Sequence, residues 1–79
     1  RGQEVMVPLA ELGRILALTG ACSLFVAHDH PSGDPRPSRT DIDTTRRIWR
    51  LARTLGVSLQ DHMIFAGRQM FSFRANGLL

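Results

Sequence analysis

Four residues within fourteen positions are of types that act together in hydrolytic sites: His28, His30, Ser38 and Asp41, in the stretch AHDHPSGDPRPSRTD from Ala27 to Asp41. On an extended backbone, residues two apart point to the same side, so both imidazoles can reach one ion. Asp41 follows His30 by eleven residues, across a proline-rich loop that can bring the chain back. Two imidazoles and one carboxylate leave a fourth coordination position for water, the pattern of catalytic rather than structural zinc. Such an ion lowers the pKa of its water and polarises a carbonyl. A plainer reading stands beside this one. Ser38-Arg39-Thr40-Asp41 is also a capping box, in which serine and an acidic residue three positions on satisfy orphan amides at a helix start. The two readings are compatible, because a cap can hold Ser38 and Asp41 in the rigid placement a site needs.

The elements that would position these residues follow from hydrophobic spacing. Residues 22–27 (CSLFVA) are continuously apolar and read as a strand covered on both faces, with His28 at its carboxyl end. After Pro37 a helix is expected, with Ile42, Thr45, Ile48 or Trp49, Ala52 and Leu55 on one face and Arg46, Arg50 and Arg53 on another. Gly56 closes it. Residues 57–65 (VSLQDHMIF) read as a strand, 66–69 as a turn, and 70–73 as a second hairpin strand. Upstream, Glu4–Val7 suits a short edge strand, and Pro8 opens a helix carrying Leu9, Leu12, Leu16 and Thr19 that ends at Gly20. The central strand–helix–strand unit should be a right-handed crossover between parallel neighbours. In such sheets sites lie beyond the carboxyl ends of strands, where His28 falls.

Length and composition set the bounds. Seventy-nine residues, 43% hydrophobic and 22% charged, make one ordinary globular domain. Cys22 is the only cysteine, which excludes an internal disulfide; its apolar neighbours suggest a buried thiol in a reducing, cytoplasmic setting. No apolar run is long enough to span a membrane. The net charge of +3 comes from ten arginines and no lysine, weak support for a nucleic-acid partner. The arginines of the second helix, Arg46, Arg47, Arg50 and Arg53, read first as a solvated face and second as a DNA contact.

Other residues carry plainer expectations. His62, beside Asp61, is expected on the strand face opposite Leu59 and Met63, as a hydrogen-bonded structural histidine rather than a fourth ligand. Asp29 and Asp34 suit loop solvation and Asx turns, with a second role orienting a histidine held open. Gly33 suits a turn conformation that other residues adopt poorly. Trp49, Phe71 and Phe73 read as core or contact aromatics.

The pattern H-x-H-x7-S-x-x-D, here His28, His30, Ser38 and Asp41, resembles the JAMM (JAB/MPN) metalloprotease signature. The fuller string HDHPSGDPRPSRTDID, the downstream LQDHMIF, the ending FSFRANGLL and the preceding VPLAELGRILALTGACSLFVA together resemble the bacterial RadC family, over nearly the whole chain. That resemblance implies an α/β fold of MPN type, cytidine-deaminase-like, with a three-layer mixed sheet and flanking helices. It implies one Zn2+ held by His28, His30 and Asp41, with Ser38 steadying the oxyanion of a tetrahedral intermediate. The implied reaction is hydrolysis of a peptide or isopeptide bond in a protein substrate. The alternatives are a DNA-repair-associated protein with a structural or vestigial metal, and an inactive interaction module. The pattern also needs an upstream glutamate as general base, and neither Glu4 nor Glu11 matches its position. Residues 1–79 are therefore expected to be one domain lacking its first elements.

Overall fold

The computed structural model describes residues 8–79, and the expected edge strand at Glu4–Val7 lies outside them. Helix α1 (Leu9–Thr19) leads to strand β1 (Ser23–Asp29), helix α2 (Arg39–Thr54), strand β2 (Ser58–Ala66) and strand β3 (Gln69–Ser72). The sheet order is β1-β2-β3, with β1 parallel to β2 and β2 antiparallel to β3. This is the expected α/β unit: a mixed three-stranded sheet with a helical crossover joining its parallel pair. No described helix is long and apolar enough to cross a membrane.

Helix α2 sets the arrangement. Its buried residues are Asp41, Thr45, Ile48 and Ala52, a stripe at helical spacing that changes character along its length. The carboxyl-terminal half is apolar, and Ala52 packs with Leu16 of α1 and Val57, while Leu12, Ala21 and Leu24 lie against that cluster. The amino-terminal half is polar and faces the carboxyl end of β1. Ile48, not Trp49, fills the core position; Trp49 and Leu55 are about two-fifths exposed.

Strand β1 departs from expectation. Its residues alternate between exposed and half-buried, so it is covered on one face, and Phe25 is 63% exposed. Cys22 is likewise exposed rather than buried. Both follow from the same cause: among the described residues both helices meet on one side of the sheet, giving two layers. The run CSLFVA is apolar on both faces because of its composition, but only Leu24 and Val26 turn towards the helices.

Strand β2 carries a second correction. Leu24 pairs with Leu59 but Phe25 pairs with Asp61, so Gln60 is an extra residue in β2. Such a bulge shifts the phase of alternation by one. His62 therefore shares the buried face with Leu59, Ile64 and Ala66, where regular alternation placed it opposite Leu59. Phe73, just past β3, pairs through its N–H with the His62 carbonyl and is buried, with Phe71 edge-on against it at 5.7 Å between centroids. Burying a side chain such as Phe73 or Ile64 stabilises by about 1.5–3 kcal/mol. This apolar floor lies directly beneath the polar end of α2.

Candidate metal centre

His28 is the sixth residue of β1, and His30 continues the strand by donating its N–H to the Phe65 carbonyl at 2.7 Å. The two rings stand on one side of the backbone, 4.8 Å apart between centroids, as their spacing predicts. A turn then brings the chain back: Gly33, at φ 87°, donates to the His30 carbonyl at 3.1 Å. Only glycine adopts that φ at little cost. The return places the Asp34 carbonyl 2.9 Å from His30 Nδ1. A carbonyl can only accept, so His30 carries a proton on Nδ1. Asp34 thus orients a histidine, the role held open for it, but through its backbone carbonyl rather than its carboxylate. Its carboxylate makes the expected local turn instead, held to a pKa of about 2 by the Arg36 guanidinium and backbone N–H.

The capping box at α2 is present in both directions. Asp41 N–H donates to Ser38 Oγ at 3.0 Å, and Ser38 N–H donates to Asp41 Oδ2 at 2.8 Å. The box leaves the other carboxylate oxygen over. Asp41 is fully buried, and its Oδ1 has no hydrogen-bond donor among the described residues. His28 Nε2 lies 3.4 Å from Oδ1, and His30 Nε2 lies 3.1 Å from Oδ2. Burial by itself would raise the Asp41 pKa. The Ser38 backbone N–H and hydroxyl, with His28 and His30 beyond them, outweigh it and hold the carboxyl below its ordinary value.

A buried carboxylate oxygen without a donor is costly unless a cation compensates it. The donor set fits a zinc ion, because two imidazoles and one carboxylate are its usual catalytic ligands. His28, His30 and Asp41 offer ligand atoms within 4.8 Å of one another, and no other His, Cys, Asp or Glu joins that cluster among the described residues. Glu11 is paired with Arg14 on α1 at 2.7 Å, and Glu4 lies outside the described residues. Asp29 is exposed at the end of β1.

Two residues beneath the cluster complete its setting. His62 Nε2 lies 2.8 Å from His28 Nδ1, and His62 Nδ1 lies 2.5 Å from Thr45 Oγ1. The His62 ring stacks on Phe73, 4.5 Å between centroids and 5° from parallel. Burial is the main reason its pKa falls to about 4, with His28 adding to it and Asp41 and Asp61 opposing. His62 is the hydrogen-bonded histidine expected, but Thr45 gave no warning, since it read as one more position on the buried helix face.

The profile of the RadC-like JAB domain matches residues 2–78, all but two residues of the chain. The chain belongs to the RadC-like JAB domain family. A UPF0758 protein of Ruegeria pomeroyi is 49% identical over 81 aligned residues, which cover all of this chain and 36% of that protein. One from Rhodobacter capsulatus is 48% identical over 59 residues, covering 75% of this chain and 28% of its own length. The Bacillus subtilis protein YsxA, of the same group, is 41% identical over 59 residues, covering 75% and 26%. This RadC-like JAB domain thus spans about a quarter to a third of the curated relatives it matches. The arginine face of its α2 is exposed at Arg46, Arg47, Arg50 and Arg53, and Arg53 lies 5.2 Å over the Trp49 ring. An exposed arginine face is compatible with a solvated face and with a DNA contact alike.

Proposed function

We propose that this RadC-like JAB domain is the metal-holding part of a zinc-dependent hydrolase of the JAMM type, acting on a peptide or isopeptide bond. The observation that carries the reading is Asp41 Oδ1, buried without a donor among the described residues, with His28 Nε2 3.4 Å from it and His30 Nε2 3.1 Å from the neighbouring Oδ2. His28, His30 and Asp41 would hold the ion, which supplies an activated water and polarises the scissile carbonyl.

The rest falls to the chain's own side chains. Asp41 presents Oδ1 because the capping box occupies Oδ2, so the helix start aims the ligand. Ser38 Oγ accepts the Asp41 N–H, and its single hydroxyl hydrogen, which at rest helps hold the Asp41 carboxylate, is the one available for donation. Exposed at the mouth of the site, that hydroxyl can stabilise negative charge developing on the carbonyl oxygen. The general base this reading needs is not among the residues of the cluster, which holds no glutamate among the described residues.

The test is hydrolysis of fluorogenic peptide and isopeptide substrates by the intact protein, with zinc content measured in parallel. Cleavage should require zinc, and His28→Ala and Asp41→Ala should each abolish both zinc retention and cleavage. Full zinc content in both variants would refute the ligand assignment.

A further inference from the structure

The contacts beneath the cluster form a chain: the Asp41 carbonyl, Thr45 Oγ1, His62 Nδ1, His62 Nε2 and His28 Nδ1. Thr45 Oγ1 lies 2.7 Å from the Asp41 carbonyl, one turn back along α2. It also lies 2.5 Å from His62 Nδ1, whose ring reaches His28 Nδ1 at 2.8 Å from Nε2. Three contacts share few protons, and that shortage fixes their direction.

A carbonyl has no proton to give, so the single Thr45 hydroxyl hydrogen goes to the Asp41 carbonyl. Thr45 Oγ1 is then an acceptor towards His62, and His62 Nδ1 must carry a proton. His62 is fully buried and stacked on Phe73, a setting that keeps the ring neutral. A neutral ring protonated on Nδ1 has a bare Nε2, which accepts from His28. His28 accordingly carries its proton on Nδ1, and Nε2, on the side of Asp41 Oδ1, is the nitrogen whose lone pair can bind a cation.

We propose that Thr45 and His62 are positioning residues that lock His28 in the tautomer able to ligate a metal through Nε2. This rests on the metal reading above and adds residues outside the ligand set. Metal-binding histidines commonly donate their second nitrogen to a carboxylate, carbonyl or water. His30 follows that rule, with the Asp34 carbonyl as acceptor. His28 has a neutral imidazole as its acceptor instead, which works only while something downstream holds that imidazole's proton on the far nitrogen. Thr45 does so. It can because α2 begins at the site: Asp41 is a ligand, and its carbonyl, four residues before Thr45, takes the hydroxyl hydrogen. One turn of helix therefore sets both a ligand and the tautomer of its neighbour.

The experiment uses the intact protein, with ring protonation read from long-range 1H–15N spectra and zinc affinity from chelator competition. In the metal-free wild type, His62 should carry its proton on Nδ1 with Nε2 bare, and His28 should be protonated on Nδ1. Thr45→Val keeps the shape but removes the acceptor. It should move the His62 proton to Nε2, drive the His28 proton to its own Nε2, and weaken zinc about 10–100-fold. Thr45→Ser should restore wild-type spectra and affinity. His62→Gln, whose amide oxygen can replace Nε2 as acceptor, should bind zinc within a few-fold of wild type. A wild-type His62 protonated on Nε2 overturns the proposal without any variant. So does a Thr45→Val protein with unchanged tautomers and affinity, while His28→Ala still abolishes zinc binding. If His28→Ala itself leaves zinc binding intact, the metal reading falls first and the positioning role falls with it.

Discussion

At the scale of single residues, the site is defined by what its polar atoms lack. Asp41 Oδ1 is a buried acceptor without a donor among the described residues, 3.4 Å from His28 Nε2. Such a buried acceptor should cost stability in the metal-free protein, and a cation bound as proposed should offset that cost. Asp41→Asn should therefore separate stability from function. The asparagine oxygen can keep accepting the Ser38 N–H, while its NH2 group can donate towards His28 Nε2. Without metal the variant should melt no lower than wild type, and it should show no rise in melting temperature when zinc is added. The observed cap and the proposed oxyanion contact of Ser38 are separated by a second measurement. Ser38→Ala should cost about 1 kcal/mol of stability from the lost cap. Its effect on hydrolysis should exceed what that loss explains, falling on kcat at saturating zinc rather than on zinc affinity. Equal activity in Ser38→Ala would remove Ser38 from the catalytic role.

At the scale of elements, the segment after β3 is tied to β2 through Asp61. That carboxylate accepts from the His62 N–H at 2.8 Å, the Arg74 N–H at 3.0 Å and the Ser72 hydroxyl at 2.5 Å. Partial burial would raise its pKa, but these donors outweigh it and hold the value below the ordinary 3.8. A carboxylate depressed in the folded state contributes stability that is present above its unfolded pKa and lost as pH falls through the folded one. Asp61→Asn should thus cost about 1–2 kcal/mol at pH 7. The difference from wild type should shrink below about pH 4 in denaturant titrations across pH. Much at this scale was legible beforehand. The H-x-H spacing put both rings on one side, Ser38-x-x-Asp41 marked the start of α2, and the parallel crossover put the site at a strand end. What failed had physical causes. The Gln60 bulge moved His62 to the buried face, and no alternation rule announces a bulge of this kind. Thr45 matters through a hydrogen bond to its own helix and one to a distant strand, and long-range polar pairing leaves no periodic trace. The exposure of Phe25 and Cys22 depends on how many layers cover the sheet, which local apolarity does not encode.

At the scale of the molecule, the described residues form a small α/β unit whose core is apolar at one end of α2 and polar at the other. The polar end is the least self-sufficient part, so a ligand there should be felt globally. Zinc at 100 times its dissociation constant should add about 2.7 kcal/mol to unfolding stability. For a chain of this size each kcal/mol moves the melting temperature by about 4–8 °C. Chelation should reverse the shift, and His28→Ala should abolish it. The central claim, that one ion sits between His28, His30 and Asp41, is tested most directly by anomalous diffraction at the zinc edge from crystals of the zinc-loaded protein. A single peak is expected about 2.0–2.2 Å from His28 Nε2, His30 Nε2 and Asp41 Oδ1. A peak elsewhere, or one reached by His28 through Nδ1, would contradict the claim.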